Sequence, residues 1–211
     1  MTRMLCMSAR AIVMGLVLMT LPLGVAAPAL AVQLDKPAPE FTATDTSGKT
    51  VTLSALKGKT VVLEWTNDGC PYVAKHYNSG TMQRLQADAT GKGVVWLTVI
   101  SSAPGMQGHV GDLEADKLTS DRKAKPTAVL LDPKGKLGRL YNATTTPHMF
   151  VIDPSGALRY MGAIDDKPSA GASSLQGARP YVREALDAIT AGQPVKAAAT
   201  RPYGCSVKYA D

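Results

Sequence analysis

The chain has 211 residues and a formal net charge of +6, from 23 basic and 17 acidic residues. The basic excess is modest and is spread along the sequence without a block of Lys or Arg, so it gives no case for a nucleic-acid partner. The three cysteines lie in three different contexts, and they carry most of the information about function.

The first 31 residues predict an export signal rather than part of the fold. Two arginines precede the apolar run 11–25, and Ala29-Leu30-Ala31 forms a small-x-small cleavage site. The run is shorter than the ~20 residues that a membrane-spanning helix needs, so we expect no stable membrane insertion after cleavage; an uncleaved anchor is the alternative. The mature chain then starts at Val32 with a net charge of +4, from 21 basic and 17 acidic residues. We expect it in the periplasm of a Gram-negative source, and otherwise outside the cell.

The mature chain, about 180 residues, predicts one domain at 32–192 followed by a tail at 193–211. Strands are predicted, in chain order, at 41–44, 50–53, 59–65, 94–100, 128–131, 149–152 and 158–161. Helices are predicted at 71–89 with a break at 78–80, at 112–125, at 137–141 and at 180–192, and a loop at 165–177. This alternation, closed by a hairpin, indicates an α/β fold with a mixed central sheet, helices on both faces and an N-terminal hairpin extension.

Cys70 lies between a predicted buried strand and a predicted helix. Asn67, Asp68 and Gly69 form a turn before it, and Pro71 supplies the fixed φ of a first helical residue. A thiol at a helix start meets unpaired backbone N–H groups and the positive end of the helix dipole, and both favour the nucleophilic thiolate. We therefore predict that Cys70 is a reactive and accessible thiol rather than a buried apolar residue.

The second informative thiol is Cys205. Because Cys6 leaves with the signal, the mature chain keeps two cysteines, and in an exported protein they meet an environment in which a disulfide can form. Tyr203 and Gly204 precede Cys205 as turn residues, which favours an accessible thiol here as well. The alternative is a structural disulfide that closes a long loop.

Several short motifs follow one another in an order and spacing typical of one superfamily of redox proteins. Besides the strand–Cys–Pro–helix unit, they are Ala38-Pro39-Glu40-Phe41, Gly48-Lys49, the stretch 53–59, and Thr146-Pro147 before a strand. From Gln33 to Gly192 the chain thereby resembles the thioredoxin superfamily and, within it, the redoxin (AhpC/TSA-like) branch. The resemblance implies a thioredoxin-like fold.

The resemblance also implies roles for residues around the thiol. Pro147 is expected in a cis peptide bond against Cys70, which exposes the backbone of Thr146 to a substrate polypeptide. A trans proline at the start of an edge strand is the alternative. Pro71 and Trp65, which lie near the thiol in sequence, complete the predicted substrate-binding set, and Trp65 is also a candidate packing residue.

Glu64 stands six residues before Cys70, at the spacing of the buried acid from the first cysteine of thioredoxins. Burial on a strand raises the pKa of a carboxyl, which suits Glu64 to move protons to and from the thiol; a glutamate at a solvated sheet edge is the alternative. Val73 occupies the place of the thioredoxin resolving cysteine, so Cys205 is the one candidate for that role in the mature chain. The combination resembles a peroxiredoxin-like group with one thioredoxin-type cysteine and a Gly-Cys-Ser tail.

The same alignment disfavours peroxidase chemistry. Peroxiredoxins carry a Pro and a Thr or Ser where this chain has Leu63 and Asn67, and they place an Arg where residues 144–147 contain none. His76 and His148 are candidate proton carriers or metal ligands, although a solvent-exposed histidine is the simpler interpretation of each.

The sequence therefore predicts an exported thiol–disulfide oxidoreductase in which Cys70 reacts with a partner and Cys205 resolves the mixed disulfide. We expect protein thiols or disulfides and an external reductant or oxidant as partners, and no cofactor or metal, because the two sulfurs carry the electrons. A thiol peroxidase, acting as a peroxiredoxin-like antioxidant, is the first alternative. The second is a copper-binding or chaperone protein that holds soft Cu(I) through the thiol beside His148.

Overall fold

The computed structural model describes Met1 and residues 32–210. The rest of the predicted export signal, with its cleavage site, lies outside the described residues. Within residues 32–210, no helix is both long and apolar enough to cross a bilayer.

The strands and helices follow the predicted order closely. The strands are β1 (Thr42–Thr44), β2 (Thr50–Thr52), β3 (Val61–Trp65), β4 (Val95–Ile100), β5 (Ala128–Leu131), β6 (Thr145–Thr146), β7 (His148–Ile152), β8 (Leu158–Gly162) and β9 (Cys205–Ser206). The helices are α1 (Pro71–Asn78), α2 (Thr81–Gly91), α3 (Asp112–Asp121), α4 (Lys136–Leu140) and α5 (Tyr181–Thr190). Short 3-10 turns lie at Ser54–Leu56 and Ala172–Leu175.

Five of these strands form the central sheet, in the order β5–β4–β3–β7–β8. β3 runs parallel to β4, and β4 to β5, whereas β7 is antiparallel to both β3 and β8. β3, β4 and β7 are buried along their whole length, as expected for strands that are covered on both faces. The predicted mixed sheet is confirmed, and β1 and β2 form the predicted antiparallel hairpin.

Side chains of β3 alternate between two hydrophobic cores, one on each face of the sheet. The first core is covered by the N-terminal segment and α4, and it contains Phe41, Leu53, Val61, Leu63, Trp65, Leu137, Tyr141 and Phe150. The second core is covered by α1, α2 and α5, and it contains Val62, Cys70, Val73, Tyr77, Met82, Trp96, Met149 and Val182. The thiol of interest therefore lies on the α1 face of the sheet.

The helix predicted over 71–89 is interrupted where the sequence predicted a break. α1 ends at Asn78, and Gly80 adopts a φ of +72°, in the left-handed region that favours glycine, before α2 begins at Thr81. The change of direction lets α2 pack on both α1 and β4.

The tail crosses the surface and adds a strand that the sequence did not predict. β9 pairs antiparallel with β6, in a register that places Cys205 opposite Thr146. One residue beyond β9, the Val207 N–H donates to the Thr144 carbonyl at 3.1 Å. The tail is thus hydrogen-bonded to the domain along residues 144–146.

Candidate functional site

Cys70 is the N-cap residue of α1, and hydrogen bonds fix the turn before it. The Asn67 side-chain oxygen accepts from the Gly69 N–H at 2.9 Å, and the Cys70 N–H donates to the Asn67 carbonyl at 3.2 Å. Pro71 is the first helical residue, and the Ala74 N–H donates to the Cys70 carbonyl at 2.9 Å. The predicted strand–turn–Cys–Pro–helix unit is confirmed.

Cys70 is fully buried, which corrects the prediction of an accessible thiol. Its Sγ donates to the Thr146 carbonyl at 3.1 Å, and the half-buried Cys205 is paired with Thr146 from the tail side. Gly204 permits this approach, because it adopts a φ of +134° and a Cβ there would overlap the Thr146 carbonyl. The turn residues before Cys70 predicted an exposed thiol. A residue at a turn is exposed only where no distant segment of the chain covers it, and here the tail covers Cys70.

The two thiols interact, and they differ in acidity. Burial alone raises the pKa of Cys70, but hydrogen bonds from the Cys205 thiol, from the Thr146 side chain and from the backbone N–H groups of Cys205 and Val73 outweigh burial and hold this pKa below its ordinary value. Burial and then the neighbouring Cys70 raise the pKa of Cys205 to about 11. Both cysteines are free. Because the pKa of Cys70 is lowered and that of Cys205 is raised, Cys70 ionises first while Cys205 keeps its proton.

The peptide bond between Thr146, whose carbonyl accepts from Cys70 Sγ, and Pro147 is cis, as predicted. The Thr146 hydroxyl donates to the Cys205 carbonyl at 3.4 Å, and the Thr145 hydroxyl donates to the Pro147 carbonyl at 3.2 Å. β9 therefore occupies the backbone edge of Thr146 that the resemblance assigns to a substrate polypeptide.

Glu64 is fully buried and accepts hydrogen bonds from four side chains. The donors are the hydroxyl of Tyr77 (2.8 Å), the amide of Gln86 (2.9 Å), the indole N–H of Trp96 (2.7 Å) and the hydroxyl of Thr98 (3.3 Å). Burial raises the pKa of Glu64, and the hydrogen bonds oppose that rise without cancelling it. The predicted burial of this carboxyl is confirmed and the solvated-edge alternative is wrong; none of the four partners is Cys70.

His76 and His148 are both buried, which corrects the prediction of solvent-exposed histidines. Burial lowers the pKa of each to about 4, so both are neutral at pH 7. The His148 ring lies 4.5 Å from that of Phe150, centroid to centroid, and its Nδ1 accepts from the Thr144 N–H at 3.3 Å. His76 Nε2 lies 3.3 Å from the Tyr203 hydroxyl.

Of the other predicted substrate-binding residues, Trp65 lies in the core on the opposite face of the sheet. Its indole N–H donates to the Ser101 hydroxyl at 3.0 Å, and its ring packs against Tyr141 and Phe150. No part of Trp65 is exposed, so it is a packing residue and the predicted substrate contact is wrong. Pro71, by contrast, is exposed at the start of α1.

A buried ionic cluster beside the thiol site was not predicted. Lys75 on α1 is only 3% exposed, and its Nζ donates to the Lys167 carbonyl at 2.8 Å and to the Tyr203 hydroxyl at 3.1 Å. The same Nζ lies 4.0 Å from Asp165, which accepts a hydrogen bond from the Tyr203 hydroxyl. Nothing in the sequence indicates that a lysine within a helix is buried. The one feature that could have indicated the cluster is Tyr203, an aromatic residue two positions before Cys205.

Two of the residues at which the sequence departs from the peroxiredoxin pattern make structural contacts. Leu63 is buried in the first core, and the Asn67 amide donates to the Gln107 carbonyl at 2.9 Å. Within residues 32–210, no group of three or more His, Cys, Asp or Glu side chains is arranged to hold a metal ion.

Cys70 lies at a helix start, its thiol bonds to the carbonyl of the cis Thr146–Pro147 peptide, and the mixed sheet is covered on both faces; the site and the fold together are those of a thioredoxin-like protein. The sequence matches the AhpC/TSA family over residues 34–161, and the chain belongs to that family. The predicted superfamily, branch and fold are confirmed, and the protein is an oxidoreductase by class.

Relatives agree with this assignment. The chain is 31% identical over 124 residues to the thiol-disulfide oxidoreductase ResA of Bacillus subtilis (strain 168), a match that covers 53% of this chain and 69% of that protein. It is similar in structure to an uncharacterized conserved protein from Geobacillus kaustophilus, with a TM-score of 0.70 and 26% identity over 84% of this chain and 93% of that one. It shares its fold with a Chlorobium tepidum protein described as thiol:disulfide interchange protein DsbE, with a TM-score of 0.52 and 24% identity over 77% of this chain and 98% of that one.

We expect Cys70 to be alkylated with a pH midpoint below the ordinary cysteine value of ~8.5, and Cys205 with a midpoint above it. Alkylation of the reduced protein across a pH series, resolved by peptide mass spectrometry, measures both. Cys205→Ala, which removes the thiol donor, should raise the Cys70 midpoint more than Cys205→Ser, which keeps a hydroxyl donor. A Cys70 midpoint at or above the ordinary value would contradict the assigned hydrogen bonds.

Glu64 should make stability fall with pH in a way that Glu64→Gln does not. Because burial raises the pKa of folded Glu64 above its ordinary 4.5, the folded state holds this proton at pH values where the unfolded state has lost it. The stability that the proton contributes is complete below pH 4.5 and is lost as the pH rises through the raised pKa. Urea unfolding of both proteins over a pH series measures the difference between them, and a difference that stays constant with pH would refute the expectation.

Proposed function

We propose that the protein is an exported thiol–disulfide oxidoreductase in which Cys70 is the attacking thiolate and Cys205 is the resolving thiol. The observation that carries the proposal is the seating of Cys205 on β6 opposite Thr146, the residue whose carbonyl accepts from Cys70 Sγ at 3.1 Å. The name of the Bacillus subtilis relative, a thiol-disulfide oxidoreductase, supports the same chemistry.

The exchange takes place in two steps that balance electrons and protons. The Cys70 thiolate attacks a partner disulfide, forms a mixed disulfide through Sγ and releases the partner's other sulfur as a thiolate. Cys205 gives its proton to that thiolate and attacks Cys70 Sγ, so that the Cys70–Cys205 disulfide forms and the partner's second sulfur leaves. Two electrons have then passed from this protein to the partner. An external thiol reductant supplies two electrons to the Cys70–Cys205 disulfide and restores the two thiols. Run in reverse, the same steps oxidise a partner dithiol.

The acidities of the two thiols suit this order of events. The interaction with Cys70 is one cause of the raised pKa of Cys205, after burial. The departure of β9 and the loss of negative charge from Cys70 on formation of the mixed disulfide both remove this interaction, so the pKa of Cys205 is lower during resolution than in the closed state.

A partner reaches Cys70 only after β9 leaves β6, since the thiol is fully covered. Thr146 then offers the partner the backbone edge that it offers β9 in the closed state, with Pro147 and the exposed Pro71 beside it. The partners are therefore protein segments that can extend along a strand edge and that carry a disulfide or a dithiol.

Buried titratable groups are proposed as accessories to this exchange. Glu64 is the proton carrier, because a carboxyl with a raised pKa holds a proton that a surface carboxyl would lose. His76 and His148, as neutral imidazoles, are able to take up a proton when the site opens to water.

Cys205→Ser should accumulate a mixed disulfide on Cys70 when it is mixed with a disulfide-bonded protein, because no second thiol is left to release the partner. The wild type should instead give a monomer with an intramolecular disulfide, and Cys70→Ser should react with nothing above background. Intact-mass spectrometry after acid quenching, without reductant, measures all three. We expect turnover of a disulfide substrate to fall at least tenfold in Cys205→Ser.

Three results would overturn this function. A wild type that keeps two free thiols, or that forms only dimers through Cys70, would exclude Cys205 as the resolving thiol. Rapid oxidation of Cys70 by low micromolar peroxide, without reaction with disulfides, would favour the thiol peroxidase. Stoichiometric Cu(I) binding without thiol exchange would favour the copper-binding alternative.

Export depends on residues 1–31, and we expect the protein to be cleaved so that it starts at Val32. Expression of the full chain in a Gram-negative host, followed by fractionation and N-terminal mass analysis, should recover that species from the periplasm. Ala29→Asp with Ala31→Asp, which places charges in the small-x-small site, should leave the signal attached. Recovery of uncleaved wild type from the cytoplasm would contradict export.

A further inference from the structure

The Tyr203 hydroxyl sits at the centre of the buried ionic cluster, two residues before the thiol of the tail. It donates its single proton to Asp165 and therefore acts as an acceptor toward its other two neighbours, Lys75 Nζ at 3.1 Å and His76 Nε2 at 3.3 Å. This assigns the proton of the neutral imidazole to Nε2 and leaves Nδ1, which has no hydrogen-bond partner within residues 32–210, as a bare acceptor.

The cluster is closed only when the tail is in place. The side chain of Lys75 is fully buried and that of Asp165 is almost so, and charged side chains are rarely buried without partners. Tyr203 adds contacts through its ring as well, since Lys75 Nζ lies 4.9 Å from the ring centroid and Tyr72 packs against it at 6.0 Å. A residue of the tail thus completes a charged site on α1 and in the loop after β8.

We infer that Tyr203 is the positioning residue of the resolving thiol: its hydroxyl, bound by Lys75, His76 and Asp165, seats Cys205 against Cys70 and keeps Cys70 closed to partners. The part that concerns resolution rests on the proposed function. The part that concerns closure does not, because it depends only on the burial of Cys70 beneath the tail.

A second tyrosine of the tail, Tyr209, also binds the tail to the domain, and it provides a matched control. The Tyr209 hydroxyl donates to the Ala143 carbonyl at 2.7 Å, and the Arg139 guanidinium lies 4.6 Å from its ring centroid. Tyr209 therefore loses one hydrogen bond to a neutral backbone group when its hydroxyl is removed, four residues beyond Cys205 and without a charged cluster. Tyr203 loses bonds to a carboxylate and to an ammonium group, which are the stronger kind.

The experiment compares Tyr203→Phe with Tyr209→Phe in two backgrounds. In the reduced Cys205→Ser background, the alkylation rate of Cys70 on its high-pH plateau, where the thiol is ionised in every variant, reports closure alone. We expect Tyr203→Phe to raise that rate about tenfold, because hydrogen bonds to charged groups carry at least that factor, and Tyr209→Phe to leave it nearly unchanged. Near-ultraviolet circular dichroism and the thermal midpoint verify that each variant keeps its fold.

In the background with both cysteines, the equilibrium between dithiol and Cys70–Cys205 disulfide is measured in glutathione buffers. Tyr203→Phe should shift this equilibrium about tenfold toward the dithiol, since the second thiol is less often in place, and Tyr209→Phe should not. A wild type that forms no such disulfide would defeat the proposed function while leaving the alkylation result to decide closure.

Equal Cys70 alkylation rates with and without the Tyr203 hydroxyl would overturn the inference, whatever the state of the proposed function. An equal acceleration by Tyr209→Phe would also overturn it, because the effect would then belong to the tail as a whole. If Tyr203→Phe does not fold, Lys75→Met, which removes a donor to the hydroxyl and keeps the length of the side chain, is measured in the same way against the same control.

Discussion

The pairing of β9 with β6 determines the state of the thiol site. It sets Cys205 opposite Thr146, buries Cys70, and brings two of the donors that stabilise the Cys70 thiolate. The pairing in turn depends on Gly204, whose missing side chain lets the tail backbone approach the carbonyl of Thr146. Two short strands and one glycine thereby convert an ordinary cysteine at a helix start into a covered and acidic one.

The atoms of the tail that cover Cys70 also lower its pKa, so the accessibility and the acidity of this thiol change together. A buried thiolate is costly unless it is hydrogen-bonded, and the Cys205 thiol and N–H supply bonds that offset the cost. When the tail departs, Cys70 becomes reachable but keeps only the donors on its own side, Thr146 and the Val73 N–H. The lowered pKa is therefore a property of the closed state, and a partner has to replace the donors that it displaces.

Features that depend on neighbours in sequence were predictable, and features that depend on distant segments were not. The continuous apolar run of β3 and the break at 78–80 leave a local mark, and the resemblance supplied the burial of Glu64 through its spacing to Cys70; each was predicted correctly. β6 and β9 are two residues long, too short for any periodicity, so their pairing was invisible. The burial of Lys75 and His76 was missed for the same reason, since a tail more than a hundred residues away covers them.

The sheet separates the two tryptophans of the chain. Trp65 lies in the core beneath the N-terminal segment and α4, whereas Trp96 lies in the core that holds Cys70 and donates its indole N–H to Glu64. Each face of the sheet thus carries one tryptophan, and both tryptophans are shielded from water. The emission of a variant that keeps one tryptophan reports on one core at a time. The emission of Trp96 also reports on the ionisation of the Glu64 carboxyl group, which accepts its indole N–H.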